Sequence, residues 1–247
     1  MQKTKRKPKA KLNIISHASL PFTDRTEAGH LLAKHLVYLR NKKAIVLGIP
    51  RGGIIVARAL ASKLRAELDI VLSRKLGAPD QPELALGALA EDGTVFLNQD
   101  IVKAIAVTKL DVEQEKTRQM KEIEHRTQLI RSILPKTSLK GRIAIVTDDG
   151  VATGATMQAA LWAVRQEDPQ ALIAAIPVAS RDALEKLSAD ADEIICLRQP
   201  PIFYAVGQFY DQFDQVEDAE IMRILKTEAQ HKRKTKTLDR DCGNGGI

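Results

Sequence analysis

Apolar positions fall along the chain in two alternating forms. Apolar runs occur at residues 44–49, 68–72 (interrupted by Asp69), 143–146, 171–178 and 193–197 (opened by Glu193). A strand covered on both faces has no polar side to alternate with, so such runs predict strands of a parallel sheet. Between them lie stretches with helical spacing, such as Ala28, Leu31, Leu32, His35 and Leu39, and the segments 54–64, 155–166 and 181–187. The strand, loop and helix order repeats four times, which predicts an α/β fold: a doubly wound, mostly parallel sheet flanked by helices. Asp24, with Glu27 three residues on, predicts a capping box at the first helix. Asp92-Gly93, between apolar runs at 84–90 and 94–98, predicts a hairpin. Residues 99–133 are read as helical. Within them, 111–131 alternates Glu113, Glu115, Lys116, Arg118, Lys121, Glu122, Glu124 and Arg126, the mark of an exposed helix laced with i,i+4 pairs. Pro135 stops it, and a last helix is expected from Glu217 to about Ala229.

Composition narrows this picture. The chain has 247 residues, 44% of them hydrophobic, which is enough for a substantial core and excludes global disorder. The net charge of +7 would suggest a nucleic-acid partner if it were spread over the body. It is not: residues 1–11 carry +6 and residues 226–241 carry +3, leaving the remainder at −2. The expected organisation is a disordered basic arm at 1–17, a folded body at 18–225 and a disordered basic tail at 226–247. Nucleic-acid binding through the tails is the less favoured use of that charge. Cys196 and Cys242 form neither a disulfide framework nor a zinc spacing, so a reducing cytoplasm is expected. No apolar run reaches the roughly 18–20 residues of a membrane span, and no membrane contact is expected.

The candidate chemistry centres on residues 143–157, IAIVTDDGVATGATM. A buried strand delivers Asp148 and Asp149 together at its C-terminal end. Gly150, Val151, Ala152, Thr153, Gly154, Ala155 and Thr156 follow and run into a helix. Small residues leave backbone N–H groups open, and a helix N-terminus adds its dipole, so the loop suits an anion. Two carboxylates beside a phosphate cradle suit a ligand with a vicinal diol and a phosphate, as in a ribose 5-phosphate. One strand earlier, Pro50-Arg51-Gly52-Gly53 is a second loop of this kind, with a cation and two glycines. Arg74 and Lys75, read as lying at the end of the strand 68–72, point to the crevice where open α/β sheets bind ligands. Residues 200–214 gather five aromatic rings, Phe203, Tyr204, Phe209, Tyr210 and Phe213, in a chain otherwise poor in them. Trp162, alone in a helix, is read as core.

The string of four apolar residues, a spacer, two acids and T-G-x-T resembles the signature motif of the type I phosphoribosyltransferases, whose donor is 5-phosphoribosyl-1-pyrophosphate (PRPP). The resemblance runs from about Pro21 to Ile224. It takes in Asp24-Arg25-x-x-Ala28-Gly29, Pro50-Arg51-Gly52-Gly53, Arg74-Lys75-x-Gly77-Ala78-Pro79, Glu83-x-x-x-Gly87-Ala88 and Ala205-Val206-Gly207-x-Phe209-Tyr210-x-x-Phe213. The pattern is similar to that of a bacterial branch of the family without an assigned base.

The resemblance implies roles for these residues. Asp148 and Asp149 would hold the ribose hydroxyls and touch the water shell of Mg²⁺, the implied cofactor. Thr153, Gly154, Ala155 and Thr156 would bind the 5-phosphate, with Gly150, Val151 and Ala152 completing the PRPP loop. Arg51, Gly52 and Gly53 would bind pyrophosphate, in a loop expected to hold a strained peptide. Arg74 or Lys75 would neutralise the departing pyrophosphate. Residues 77–98 would form an inserted flap, with Glu83 facing the site. Residues 198–216 would form a small C-terminal hood in which Phe203, Tyr204, Phe209 and Tyr210 stack on the base. The implied partners are PRPP and an unidentified nucleobase or amine; the sequence leaves the oligomeric state open, a homodimer being one form it allows. Hypoxanthine–guanine enzymes place a Lys on the strand after the motif helix. Here that strand reads Ile176-Pro177-Val178-Ala179-Ser180-Arg181, so a hypoxanthine–guanine enzyme is not expected.

Two other functions use the same residues. A non-catalytic PRPP- or nucleotide-binding regulator would keep the phosphate loop and use the tails on nucleic acid, but would have no need of Arg51-Gly52-Gly53. A two-component receiver would use the acidic pair but leaves T-G-x-T without a role.

Overall fold

A computed structural model describes residues 10–79, 81–105 and 107–243. Six strands make one parallel sheet: β1 (Lys11–Ser16), β2 (Ile45–Gly48), β3 (Glu67–Ile70), β7 (Ile143–Thr147), β8 (Ala171–Val178) and β9 (Glu193–Arg198). Their spatial order is β1-β9-β8-β7-β2-β3, with every neighbouring pair parallel. A second sheet of three antiparallel strands comprises β4 (Ser73–Ala78), β5 (Gln81–Ala90) and β6 (Val95–Leu97). The helices are α1 (Arg25–His35), α2 (Gly53–Leu64), α3 (Gln99–Ala104), α4 (Lys109–Ile133), α5 (Ala155–Arg165), α6 (Arg181–Leu187) and α7 (Asp218–Gly243).

Alternation along the strands explains the two cores. On β2, β7 and β8, Val46, Ile145, Ile173 and Ala175 join one cluster with Leu32, Leu36, Ile54, Leu60, Ile224 and Leu225, which places α1, α2 and α7 on one face. Ile45, Leu47, Ala144, Val146, Leu172 and Ile176 join Met157, Leu161, Val164, Leu184 and Leu187, which places α5 and α6 on the other. Both faces of each central strand are therefore dry, as their apolar runs require. The hairpin predicted at Asp92-Gly93 forms between β5 and β6. Its sheet docks on α5: Ala85 and Ala88 pack with Ala159 and Trp162, and the Phe96 and Trp162 rings lie 5.0 Å apart. Trp162 is core, with its indole N–H donated to Asp190 at 2.7 Å.

The N-terminal boundary differs from expectation. Residues 11–16, assigned from sequence to the basic arm, form the edge strand β1, in register with β9. The tail also differs: α7 continues past Ala229 to Gly243, so residues 226–243 are helical. Residues 1–9 and 244–247 of the arm and tail lie outside the described residues. Asp24 caps α1 by accepting the Glu27 N–H at 2.7 Å, while Glu27 reaches back to the Thr23 N–H, one residue before the cap. Cys196 is a buried free cysteine, and burial pushes its thiol up to about 12. Among the described residues no helix is long and apolar enough to cross a membrane.

Candidate functional site

The C-terminal ends of β2 and β7 are adjacent, with Gly48 opposite Thr147. The two loops that leave these strands therefore meet. Asp148 and Asp149 extend β7, and Gly52 and Gly53 begin α2 directly against them. A Cβ on Gly53 would lie 2.8 Å from the Asp148 Cα, and one on Gly52 would overlap the Asp149 carboxylate. The approach is too close for any side chain at either glycine. The Pro50–Arg51 peptide bond in this loop is cis.

Asp149 is held at both its side chain and its backbone. Its Oδ2 accepts the Arg25 Nε at 2.8 Å. Its backbone carbonyl accepts the Tyr210 hydroxyl at 2.5 Å. The Arg25 guanidinium lies over the Phe213 ring, 3.9 Å from the centroid, and donates to the Asp214 carbonyl. Asp148 accepts the backbone N–H groups of Asp149 at 2.9 Å and of Gly53. Burial, and then the neighbouring charge of Asp149, push the Asp148 carboxyl well above the ordinary range. An acid so placed is poised to receive a cation or hydroxyl groups. Among the described residues no group of three or more His, Cys, Asp or Glu gathers as a metal cage.

The second loop is built for an anion. Val151 pairs with Ala179, the Ser180 hydroxyl donates to the Ala152 carbonyl at 2.6 Å, and Lys186 donates to the Thr153 carbonyl at 3.0 Å. These bonds occupy the Ala152 and Thr153 carbonyls. Gly154, with φ of 80°, then begins α5 with no side-chain cap. Gly52 likewise begins α2 without one. Elsewhere side chains cap the helices: Asp24 at α1, Thr108 at α4 and Ser180 at α6. Two uncapped starts thus lie beside the acidic pair, where first-turn N–H groups remain to meet a ligand. Thr153 and Thr156 are exposed there.

Other expected residues are placed differently. Arg74 and Lys75 are not at the end of a parallel strand. They lie within β4 of the antiparallel sheet, because the chain leaves β3 at Ile70 and turns into a new ladder with β5. Arg74 faces Glu122 of α4 at 3.5 Å. Lys75 lines an open groove of about 550 Å³ with Gly77, Asp111, Glu115 and Arg118. The flap thus begins at Ser73 rather than residue 77. The side chain of Glu83 lies outside the described part.

The hood also needs correction. The Phe209 and Tyr210 rings are buried in the core rather than offered to a base. Phe209 packs on Phe203 and Tyr210 on Phe22. Tyr204, 84% exposed, is free of that packing, and Phe203 is half-buried. Tyr210 acts instead through its hydroxyl on the Asp149 backbone, and burial pushes that phenol far up. Sequence reasoning assigned no role to Arg25, although its place just after a capping Asp and before an apolar helix was a usable signal.

A model of the phosphoribosyl transferase domain family matches residues 25–214. Two Mycobacterium tuberculosis proteins, from strains CDC 1551 and H37Rv and provisionally named phosphoribosyl transferases, are 41% identical over 204 residues. That match covers 83% of this chain and 46% of each relative, so the chain spans about half the length of these relatives. The crystal structure of TT1426 from Thermus thermophilus is 43% identical, with a TM-score of 0.81 over 84% of this chain and 99% of that one.

Proposed function

Because the chain belongs to the type I phosphoribosyltransferase family, we propose that it transfers the 5-phosphoribosyl group of PRPP to a nitrogen of a nucleobase or amine, releasing pyrophosphate. The observation that carries this reading is the meeting of Asp148 and Asp149 with the Gly52-Gly53 loop, beside the uncapped start of α5. A diol, a monophosphate and a diphosphate on one small sugar call for these three features together.

In this reading the 5-phosphate takes the first-turn N–H groups of α5 and the hydroxyls of Thr153 and Thr156. The ribose hydroxyls donate to Asp148 and Asp149. Arg25 orients the Asp149 carboxylate, and Tyr210 fixes its backbone. Arg51 and the N–H groups of Gly52 and Gly53 receive the diphosphate. The bond from the anomeric carbon to the diphosphate oxygen breaks, the electron pair leaves with pyrophosphate, and the acceptor nitrogen forms the new bond and then loses its proton. Positive charge builds on the sugar as the leaving group departs. The protein's work is positioning, leaving-group stabilisation and exclusion of water. In this reading the β4–β6 sheet, which packs on α5, covers the sugar during transfer.

Mg²⁺ fits the acidic pair. Its remaining ligands would be water and phosphate oxygens, so two carboxylates and no larger cage suffice. Bound there through water to Asp148 and Asp149, it would neutralise diphosphate charge.

The test is pyrophosphate release from PRPP with Mg²⁺ across a panel of purines, pyrimidines and small amines. Release that depends on one acceptor class is expected, with hypoxanthine and guanine inactive. PRPP binding with no release on any acceptor would contradict transferase activity and leave a ligand-sensing protein.

A further inference from the structure

Arg51 and Arg126 converge on one carboxylate oxygen. Arg51 Nε and Arg126 Nη2 each lie 3.5 Å from Asp218 Oδ1. Arg126 is on α4, 75 residues along the sequence from Arg51, and Asp218 is the first residue of α7. One turn before Arg126 on the same helix, Glu122 holds Arg74 at 3.5 Å. Three guanidiniums, one of them from the Gly52-Gly53 loop, thus meet two carboxylates along α4 and the start of α7. Burial pushes the Arg126 guanidinium down, Asp218 opposes that, and the charges of Arg51 and Arg74 push it further down.

These pairs are poor salt bridges. Each is long, two guanidiniums share a single oxygen, and none makes the two-pronged contact that Arg and a carboxylate prefer. The Asp218 side chain is 60% exposed and Arg126 35%. Exposed pairs of this geometry contribute little to stability. A diphosphate offers what the carboxylates do not: several oxygens and enough negative charge for more than one guanidinium at once.

Resting on the transferase reading, we propose that Arg126 is a pyrophosphate-binding residue, forming with Arg51 a two-guanidinium clamp on the leaving group, and that Asp218 is the counter-ion this group displaces. Arg74 adds the third cation from β4. Asp218 can be displaced because it stands in the first turn of α7, where the helix dipole favours a carboxylate without a cation. Occupancy of the site is thereby linked to the position of the C-terminal helix, since α4 and α7 pack on each other.

The probes are inorganic pyrophosphate with Mg²⁺ and ribose 5-phosphate, titrated separately into wild type, Arg126→Gln and Asp218→Asn. Without the Arg126 guanidinium, Arg126→Gln is expected to bind pyrophosphate about tenfold more weakly, or worse. Asp218→Asn is expected to tighten it about threefold or more, because its competitor is gone. Ribose 5-phosphate affinity should stay within about twofold of wild type in both, as it lacks the diphosphate. A purely structural Arg126–Asp218 pair would shift unfolding midpoints in both variants and leave pyrophosphate affinity alone. Unchanged pyrophosphate affinity in Arg126→Gln, or no pyrophosphate binding by wild type, overturns the clamp. Failure of the transferase reading itself would appear separately, as ribose 5-phosphate binding that ignores Asp148→Asn.

Discussion

Replacing Arg131 by methionine lowers the stability of the fold by about 3–5 kcal/mol, the range for breaking a buried ion pair from one side. Arg131 donates to Asp69 Oδ1 at 2.7 Å and grips Glu91 with two bonds, at 2.8 and 3.0 Å. It also donates to the Ile70 carbonyl at 3.2 Å. Asp69 is 1% exposed, and Lys136 bridges Glu91 to Glu167. One guanidinium therefore ties β3, the turn after β5 and the end of α4. It is the polar joint between the parallel sheet and the flap. Methionine fills much of the volume but takes the guanidinium from Asp69 and leaves Glu91 with Lys136 alone. Asp69 keeps the N–H groups of Ile70 and Thr137, which limits the loss. For a domain of this size the unfolding midpoint falls on the order of 10 °C. A deficit under about 1 kcal/mol at neutral pH would mean the cluster is not holding the two sheets together.

Gly52→Ala abolishes tight PRPP binding, with a loss of about 100-fold, while the protein still folds. The backbone at Gly52 is helical, φ −59° and ψ −36°, so alanine meets no conformational objection. The obstacle is space. The new methyl would overlap Asp149 Oδ2, and lie 2.6 Å from its Cγ and 2.9 Å from Arg25 Nε. The carboxylate must turn away, and its bond to Arg25 goes with it. Alanine also bars the diphosphate from the Gly52 backbone. Calorimetry beside a circular-dichroism melt separates the two effects. Wild-type affinity in Gly52→Ala would show that the close packing of glycine on acid has no part in binding.

The fold was legible where one residue class dominates a segment. Residues 171–178 and 143–146 are apolar throughout because both faces of their strands are covered. The acidic pair and the phosphate loop were legible because their chemistry is written consecutively, from Asp148 to Thr156. Lys11–Ser16 was hidden because an edge strand is half-exposed and this one is embedded in lysines, so its signal matched that of a solvated arm. The rings of the hood could not be sorted by type alone, since a Phe that stacks on a ligand and one that closes a core look alike until the chain turns at 206–209. Arg74 and Lys75 were assigned to the wrong ladder because the break at Val71-Leu72 is apolar and carries no turn signal. Arg126 was illegible for a simpler reason: in a helix of alternating charges, nothing local marks the one cation that tertiary packing brings to Arg51.

In the proposed function Asp148 and Asp149, with the two loops beside them, form a site for PRPP. Calorimetric titration of PRPP with Mg²⁺ into wild type and into the Asp148→Asn/Asp149→Asn double variant should give saturable binding by wild type and none detectable in the double variant, with the fold intact in both. Absence of binding in wild type, or equal affinity in the two proteins, would contradict it.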